Sequence, residues 1–193
     1  MRRNFFSEDF VRVIAGQARG LSLDSPSGLD TRPTLDRVKE AVFSMLLPYL
    51  SDALVLDLFA GSGALGIESL SRGSLHVTFV DDDNSAISCI NSNLLRAKMT
   101  GQSNVLKINA IKFLEQCSTK FDLIFIDPPY SQNLYQPVLK LISENRLLSD
   151  NGLIIVEWDY DLGLNSDLFD FQIVKEKKYG RVGISVLKWG ITE

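Results

Sequence analysis

The sequence predicts an α/β fold. We expect a doubly wound, Rossmann-like parallel sheet, closed by a terminal antiparallel hairpin and preceded by a small hairpin-plus-helix extension. Three observations predict it. Short apolar runs alternate with helical patterns through the middle of the chain. A glycine-rich turn follows the first of these runs. The last two strand-like runs lie too close together to admit a crossover helix, so they pair antiparallel.

The elements follow in order. Val11-Arg12-Val13-Ile14-Ala15-Gly16 and Gly20-Leu21-Ser22-Leu23 read as a small hairpin. Thr31-Arg32-Pro33-Thr34 then leads into a helix with Leu35, Val38, Val42, Met45 and Leu46 on one face, at the spacing that buries a stripe against a sheet. Pro48 ends it. Core strands are expected at Leu54–Phe59, His76–Val80, Val105–Ile108, Phe121–Asp127 and Leu153–Trp158. Between the first strands, a helix at Ala64–Arg72 stops at Gly73 and one at Ser85–Lys98 stops before Gly101, where glycine accepts the left-handed conformation past a helix end. Phe171–Lys177 and Gly183–Trp189 form the closing hairpin around Lys178-Tyr179-Gly180-Arg181. No repeat, low-complexity segment or long linker divides the chain, so residues 1–50 are expected to be an extension on a core of residues 51–193.

At 45% hydrophobic and 23% charged, the chain has enough apolar material for one core. No apolar run approaches the roughly 18 residues of a membrane span, and the opening residues run into Glu8 and Asp9, not into an apolar signal segment. A cytoplasmic monomer is expected, with no membrane partner. Cys89 and Cys117 lack any CxxC or CxxH spacing and read as buried free thiols. His76, the single histidine, reads as a strand-edge residue, so no metal centre is expected. The net charge of −4 argues against a surface uniformly attractive to nucleic acid. It is unevenly placed, however: residues 1–40 carry +1 and the rest −5, and Lys175–Arg181 forms a second basic cluster. Asp82 and Asp83 are expected to cap the helix after the second core strand. Phe5-Phe6 reads as packing or tail.

The first chemical motif is Asp57-Leu58-Phe59-Ala60-Gly61-Ser62-Gly63, at the carboxyl end of the first core strand. Gly61 to Gly66 matches GxGxxG, and Asp81 stands twenty residues beyond Gly61, where an acid that binds ribose is expected. Nicotinamide, flavin and adenosylmethionine sites share this geometry, but their charges differ. A dinucleotide brings its pyrophosphate to the helix amino terminus, where Asp57 would repel it. Adenosylmethionine has no phosphate and carries an ammonium and a sulfonium, which an acid attracts.

The second motif is sharper: the apolar strand Phe121–Ile126 runs into Asp127-Pro128-Pro129-Tyr130. Prolines after a buried strand cannot extend its ladder, so they hold the backbone open. The exocyclic amine of a base is a poor nucleophile because its lone pair is delocalised into the ring. Asp127 can accept one amine hydrogen and the Pro128 carbonyl the other, which leaves the lone pair aimed at an electrophilic methyl. Tyr130 would stack on the flipped base.

On these residues the sequence resembles the bacterial methyltransferases that modify guanine N2 in 16S ribosomal RNA. The resemblance covers nearly the whole chain. It runs from Arg12–Gly16 and Arg19-Gly20 through Thr31–Thr34, Arg37–Ala41, Asp57–Gly66 and Phe121–Tyr130 to Tyr179-Gly180. It implies the fold of the class I methyltransferases that depend on S-adenosylmethionine (SAM). It also implies methyl transfer from adenosylmethionine to a guanine of the G966 type, with the 30S particle or an assembly precursor as partner. Asp57, Phe59, Gly61, Gly63, Asp81, Asn109 and Ala110 would hold the cofactor, and Asp127, Pro128, Pro129 and Tyr130 the target base. Arg12, Arg19, Arg32, Thr34 and Arg37 would dock the RNA. Two positions depart from the family pattern: Asp81 stands where Glu is usual, and Asn109 where many such enzymes place Asp. The Asn109 amide oxygen can still accept from an adenine amine. An adenine-N6 methyltransferase and, more remotely, a nicotinamide oxidoreductase are the alternatives.

Overall fold

The computed structural model describes residues 11–26, 33–129, 134–164 and 167–190, with the side chains of residues 33–36 excepted. A two-stranded ribbon, β1 (Val11–Arg12) and β2 (Ser22–Leu23), is followed by helix α1 (Pro33–Leu46). The core then alternates β3 (Leu54–Asp57), α2 (Ala64–Ser71), β4 (His76–Asp81), α3 (Asn84–Ala97), β5 (Ser103–Lys107), α4 (Ala110–Gln116), β6 (Phe121–Ile126), α5 (Tyr135–Glu144) and β7 (Leu148–Asp159). The hairpin β8 (Phe171–Tyr179) and β9 (Val182–Trp189) closes the chain.

The seven-stranded sheet runs β5-β4-β3-β6-β7-β9-β8, parallel from β5 to β7, with β9 antiparallel to both β7 and β8. From β3 the chain winds outward through β4 and β5, then returns to β6 on the other side of β3. This reversal opens a crevice at the carboxyl ends of β3 and β6, where ligands bind in open α/β sheets. The seven strands, their parallel order and the antiparallel closure agree with the expected fold. Boundaries differ. β7 starts at Leu148, not Leu153, and α1 gives way to a 3-10 turn, Leu47–Tyr49, that contains Pro48.

Strand alternation accounts for the layers. Val55, Val77, Phe79, Leu123, Phe125, Ile155 and Val186 join one buried cluster with residues of α1, α2 and α3. Their neighbours Leu56, Val80, Ile124, Ile126, Val156 and Leu187 join another with α4 and α5. Val38, Val42 and Leu46 of the expected α1 stripe are buried, Met45 is partly buried, and the Leu35 side chain is outside the described residues. Val13 and Leu23 of the ribbon belong to the first cluster too, so the extension and the sheet share one core.

The extension is also pinned by polar contacts. Glu68, in the middle of α2 and fully buried, accepts from the backbone amides of Ile14 at 2.8 Å and Ala15 at 3.1 Å and pairs with Arg72 at 2.7 Å and Lys39 at 3.5 Å. A buried carboxylate is tolerated only with such partners. Cys89, within α3, and Cys117, at the carboxyl end of α4, are free but half-buried, less enclosed than expected. No helix among the described residues is long and apolar enough to cross a membrane.

Candidate active site

A cleft of about 600 Å³ opens where the crevice was expected, a volume typical of small-molecule sites. Its wall includes Asp57, Phe59, Gly61, Asp81, Asn109, Ala110, Asp127, Pro128 and Pro129. Every described cofactor and base candidate is therefore gathered there except Gly63. That glycine is the N-cap of α2 at φ +76, and a Cβ on it would sit 3.3 Å from Ile90 and from Phe79, so it serves the turn and the packing behind the cleft. Tyr130 and Arg32 lie outside the described residues, as does the side chain of Thr34.

The glycine turn is held from three sides. Asp81 accepts from the Gly61 amide at 2.8 Å, Asn93 of α3 donates to the Ser62 carbonyl at 2.8 Å, and Asp57 accepts from the Gly66 amide at 2.9 Å, in the first turn of α2. A Cβ on Gly66 would meet the Phe79 ring at 2.2 Å, so this glycine lets α2 lie directly on β4. Asn109 caps α4, its side-chain oxygen accepting from Ile111 and Lys112, while its amide nitrogen donates to Asp82 at 3.3 Å. Of the two acids expected to cap α3, only Asp83 does so; Asp82 instead turns toward Asn109 and the cleft.

The electrostatics are strongly acidic. Asp57, nearly fully buried, has its pKa pushed up to about 7 by burial, partly offset by the Gly66 hydrogen bond and reinforced by the charge of Asp81. Asp127 is held well above the usual carboxylate range, first by burial, then by the charges of Glu157 and Asp57. With Asp82 and Glu157 also on the wall, the cleft suits a cationic ligand and disfavours a pyrophosphate.

Sequence reasoning missed several wall residues: Lys39, Glu157, Ser25 and the apolar surfaces of Val38, Val42, Leu134 and Ile184. Glu157 had a signal, since an acid at the carboxyl end of an apolar parallel strand stands where ligands bind. Lys39 had none, because its position depends on how α1 docks. Arg12, Arg19 and Arg37 do not line this cleft. They surround a separate concavity of about 460 Å³ together with Val13, Ile14, Gly20 and Glu40.

The family model described as "Conserved hypothetical protein 95" matches residues 11–188. The chain belongs to this family. Its match to the conserved hypothetical protein 95 family takes in the β1–β2 ribbon, the whole described cleft wall and all seven sheet strands. Among relatives, ribosomal RNA small subunit methyltransferase D of Escherichia coli (strain K12) is 38% identical over 172 residues, covering 89% of this chain and 86% of its own. The Haemophilus influenzae protein of the same name is 39% identical over 175 residues, covering 89% and 90%. The solved structure of the yhhF protein from E. coli superposes with a TM-score of 0.83 at 35% identity, over 94% of this chain and 98% of that one.

Proposed function

We propose that this protein transfers a methyl group from adenosylmethionine to the exocyclic N2 amine of a guanine in the ribosomal RNA of the small subunit. One observation carries the reading: Asp127 and Pro128, at the end of β6, share a cleft wall with the glycine turn and the acids Asp57 and Asp81. An amine-holding pair thus stands beside a site that attracts cations. The small-subunit RNA methyltransferases of E. coli and H. influenzae, which this chain resembles over most of its length, support the substrate class.

The donor set fits the cofactor. Asp57 and Asp81 would favour its cationic amino-acid end and its ribose hydroxyls, and Phe59 and Ala110 would offer apolar surface and a backbone amide to its adenine. The Asn109 oxygen already receives two amides of α4, so its contribution to adenine recognition would be shared with capping. When bound, adenosylmethionine supplies an electrophilic methyl on a sulfonium. The chain's part is then to hold and deprotonate the amine. Asp127 accepts one N2 hydrogen and the Pro128 carbonyl the other, turning the lone pair out of the ring plane. As N2 gains the methyl it must lose a proton, and Asp127, whose surroundings favour its protonated form, takes it on the carboxylate. Tyr130, outside the described residues, is the side chain assigned to stack on the flipped base.

Residues 1–50 act as an extension that docks RNA through Arg12, Arg19, Arg32, Thr34 and Arg37, and residues 51–193 as the methyltransferase core. The target is a site of the G966 type, met by a cytoplasmic monomer on the 30S particle or its precursor. Incubation with labelled adenosylmethionine and small-subunit RNA, 30S particles or DNA, followed by nucleoside analysis, tests this. N2-methylguanosine in small-subunit RNA is expected; N6-methyladenine would overturn the guanine assignment. Asp127→Ala should lose about a hundredfold or more in turnover while still binding adenosylmethionine.

A further inference from the structure

The amine-holding pair by itself does not distinguish guanine from adenine or cytosine, since each carries an exocyclic amine. The residue beside Asp127 does. Ile126 of β6 is paired in register with Val156 of β7, so Asp127 and Glu157 each follow the last paired step on neighbouring strands. Strands of a sheet run about 4.8 Å apart, and both residues line the cleft. After burial, the charge of Glu157 does most to raise the proton affinity of Asp127. Asp127 therefore has a second carboxylate on one flank, toward β7, and the Pro128 carbonyl as the next acceptor along its own chain.

The bases differ in what flanks the amine. Next to N2, guanine has a ring N1–H donor on one side and the N3 acceptor on the other. Adenine has the acceptors N1 and N7 around its N6 amine, and cytosine has the N3 acceptor on one side of N4 and a carbon on the other. Only guanine places a donor beside the amine. A carboxylate is an acceptor only, so it attracts the N1–H of guanine and repels the ring acceptors of adenine.

Resting on the reading that this cleft takes a flipped base at Asp127, we propose that Glu157 is the specificity-determining residue that accepts the N1–H of the target guanine. Glu157 thereby also fixes the way the base enters: N1 faces β7 and N3 faces away, because the reverse orientation sets an acceptor against the carboxylate. A site built around such a hydrogen bond rejects an analogue that lacks the donor far more strongly than apolar contact can.

The test uses 2-aminopurine, which keeps the N2 amine but has an unprotonated N1. The methylated guanine is first located in 30S RNA treated with the full-length protein. Small-subunit RNA carrying either guanine or 2-aminopurine at that position is then prepared by ligation. Both RNAs are given to the parent protein and to the Glu157→Gln and Glu157→Ala variants, with adenosylmethionine affinity by calorimetry and melting temperature measured in parallel. The parent should methylate the guanine RNA at least a hundredfold faster than the 2-aminopurine RNA. In both variants that ratio should fall at least tenfold, chiefly through loss on guanine, with melting temperature close to the parent's; weaker binding of the cationic cofactor lowers both rates alike and leaves the ratio untouched. The fluorescence of 2-aminopurine, read with the demethylated cofactor product and no turnover, should rise more with Glu157→Gln than with the parent, because a glutamine amide can donate to N1. An equal loss on both RNAs would overturn the proposal, since it would show a general electrostatic role, and so would an unchanged ratio. Failure of the parent to methylate any guanine would overturn the underlying reading as well, and is distinguishable from both.

Discussion

The side-chain amide of Asn93 donates at 2.8 Å to the carbonyl of Ser62, the central residue of the glycine turn. The same side chain brackets Asp24 just past β2, donating to its carbonyl at 2.9 Å and accepting from its amide at 2.8 Å. Asn93 is fully buried on α3, and Arg96 donates to its oxygen as well. One residue thus joins the glycine turn on the cleft wall to the extension that carries the arginines.

Asn93→Ala should therefore act on both ends of that link. It leaves the carbonyls of Ser62 and Asp24 without this donor in a part-buried network, a loss on the order of 1–3 kcal/mol in folding free energy. The residual stabilisation by adenosylmethionine should also shrink, because the turn it binds has lost one of its three anchors. Thermal melts with and without cofactor measure both effects. A variant that melts lower but gains the parent's full increment on adding cofactor would confine Asn93 to folding.

The raised pKa of Asp57 has a definite sign. Its carboxyl titrates near 3.8 when unfolded and about 7 when folded, so the contribution to stability is full below about 3.8 and is lost as pH rises through 7. Each unit of such a shift corresponds to about 1.4 kcal/mol, so the loss above pH 7 is at most on the order of 4 kcal/mol. Asp57→Asn removes that burden and keeps an oxygen for the Gly66 amide. Its melting temperature relative to the parent should rise between pH 5 and pH 8 in cofactor-free protein; a relative fall would refute the assignment.

The same titration bears on the cofactor. Adenosylmethionine carries one more positive charge than its demethylated product, and Asp57 faces the cleft with Asp81, Asp127 and Glu157. The parent's preference for adenosylmethionine over the product should thus increase from pH 6 to pH 8, and less so in Asp57→Asn. Calorimetric titration of both compounds at the two pH values gives the comparison. A flat preference in the parent would mean that Asp57 does not sense the sulfonium.

Two glycines of the extension provide a matched pair. Gly16 and Gly20 both hold positive φ, +82 and +84, but a Cβ on Gly16 would lie 1.7 Å from the Ser71 carbonyl oxygen whereas nothing lies within 4 Å of one on Gly20. Gly20→Ala should cost about 1 kcal/mol, the strain of a left-handed alanine. Gly16→Ala must in addition push the ribbon off α2 and should cost at least twice as much, with RNA methylation falling more steeply than cofactor affinity. Equal melting temperatures for the two variants would contradict the close packing.

The sheet was legible in the sequence because strands buried on both faces read as apolar runs, and Asp57, Asp81 and Asp127 because each ends such a run at the edge where ligands bind. Gly63 and Gly66 were legible as a motif but not in role: neither lines the cleft, and only the position of Phe79 shows that Gly66 serves helix packing. Glu68, Lys39 and Asn93 were not legible. The backbone groups they hold lie 27 to 69 residues away in the chain, and nothing in a lone polar residue on a helix indicates that it will be buried against a distant backbone. How the extension attaches to the sheet was not legible either.

The arginines of the extension give the last prediction. A protein of net charge −4 is repelled by RNA at long range, so docking requires cations gathered in one place. Arg12, Arg19 and Arg37 are exposed around one concavity, on the ribbon and on α1, and α1 contributes Val38, Lys39 and Val42 to the neighbouring cleft. Removing one cation that neutralises a phosphate should lower the salt dependence of RNA affinity by about one unit in the slope of log K against log salt. Arg19→Ala with Arg37→Ala should therefore raise the KM for RNA on the order of tenfold and reduce that slope by about two. The kcat, adenosylmethionine affinity and melting temperature should stay near the parent's, because neither residue touches the cofactor side of the cleft. If these arginines are only solvated surface charge, KM and slope will match the parent's at every salt concentration. If instead they brace the extension, the melting temperature will fall along with RNA affinity.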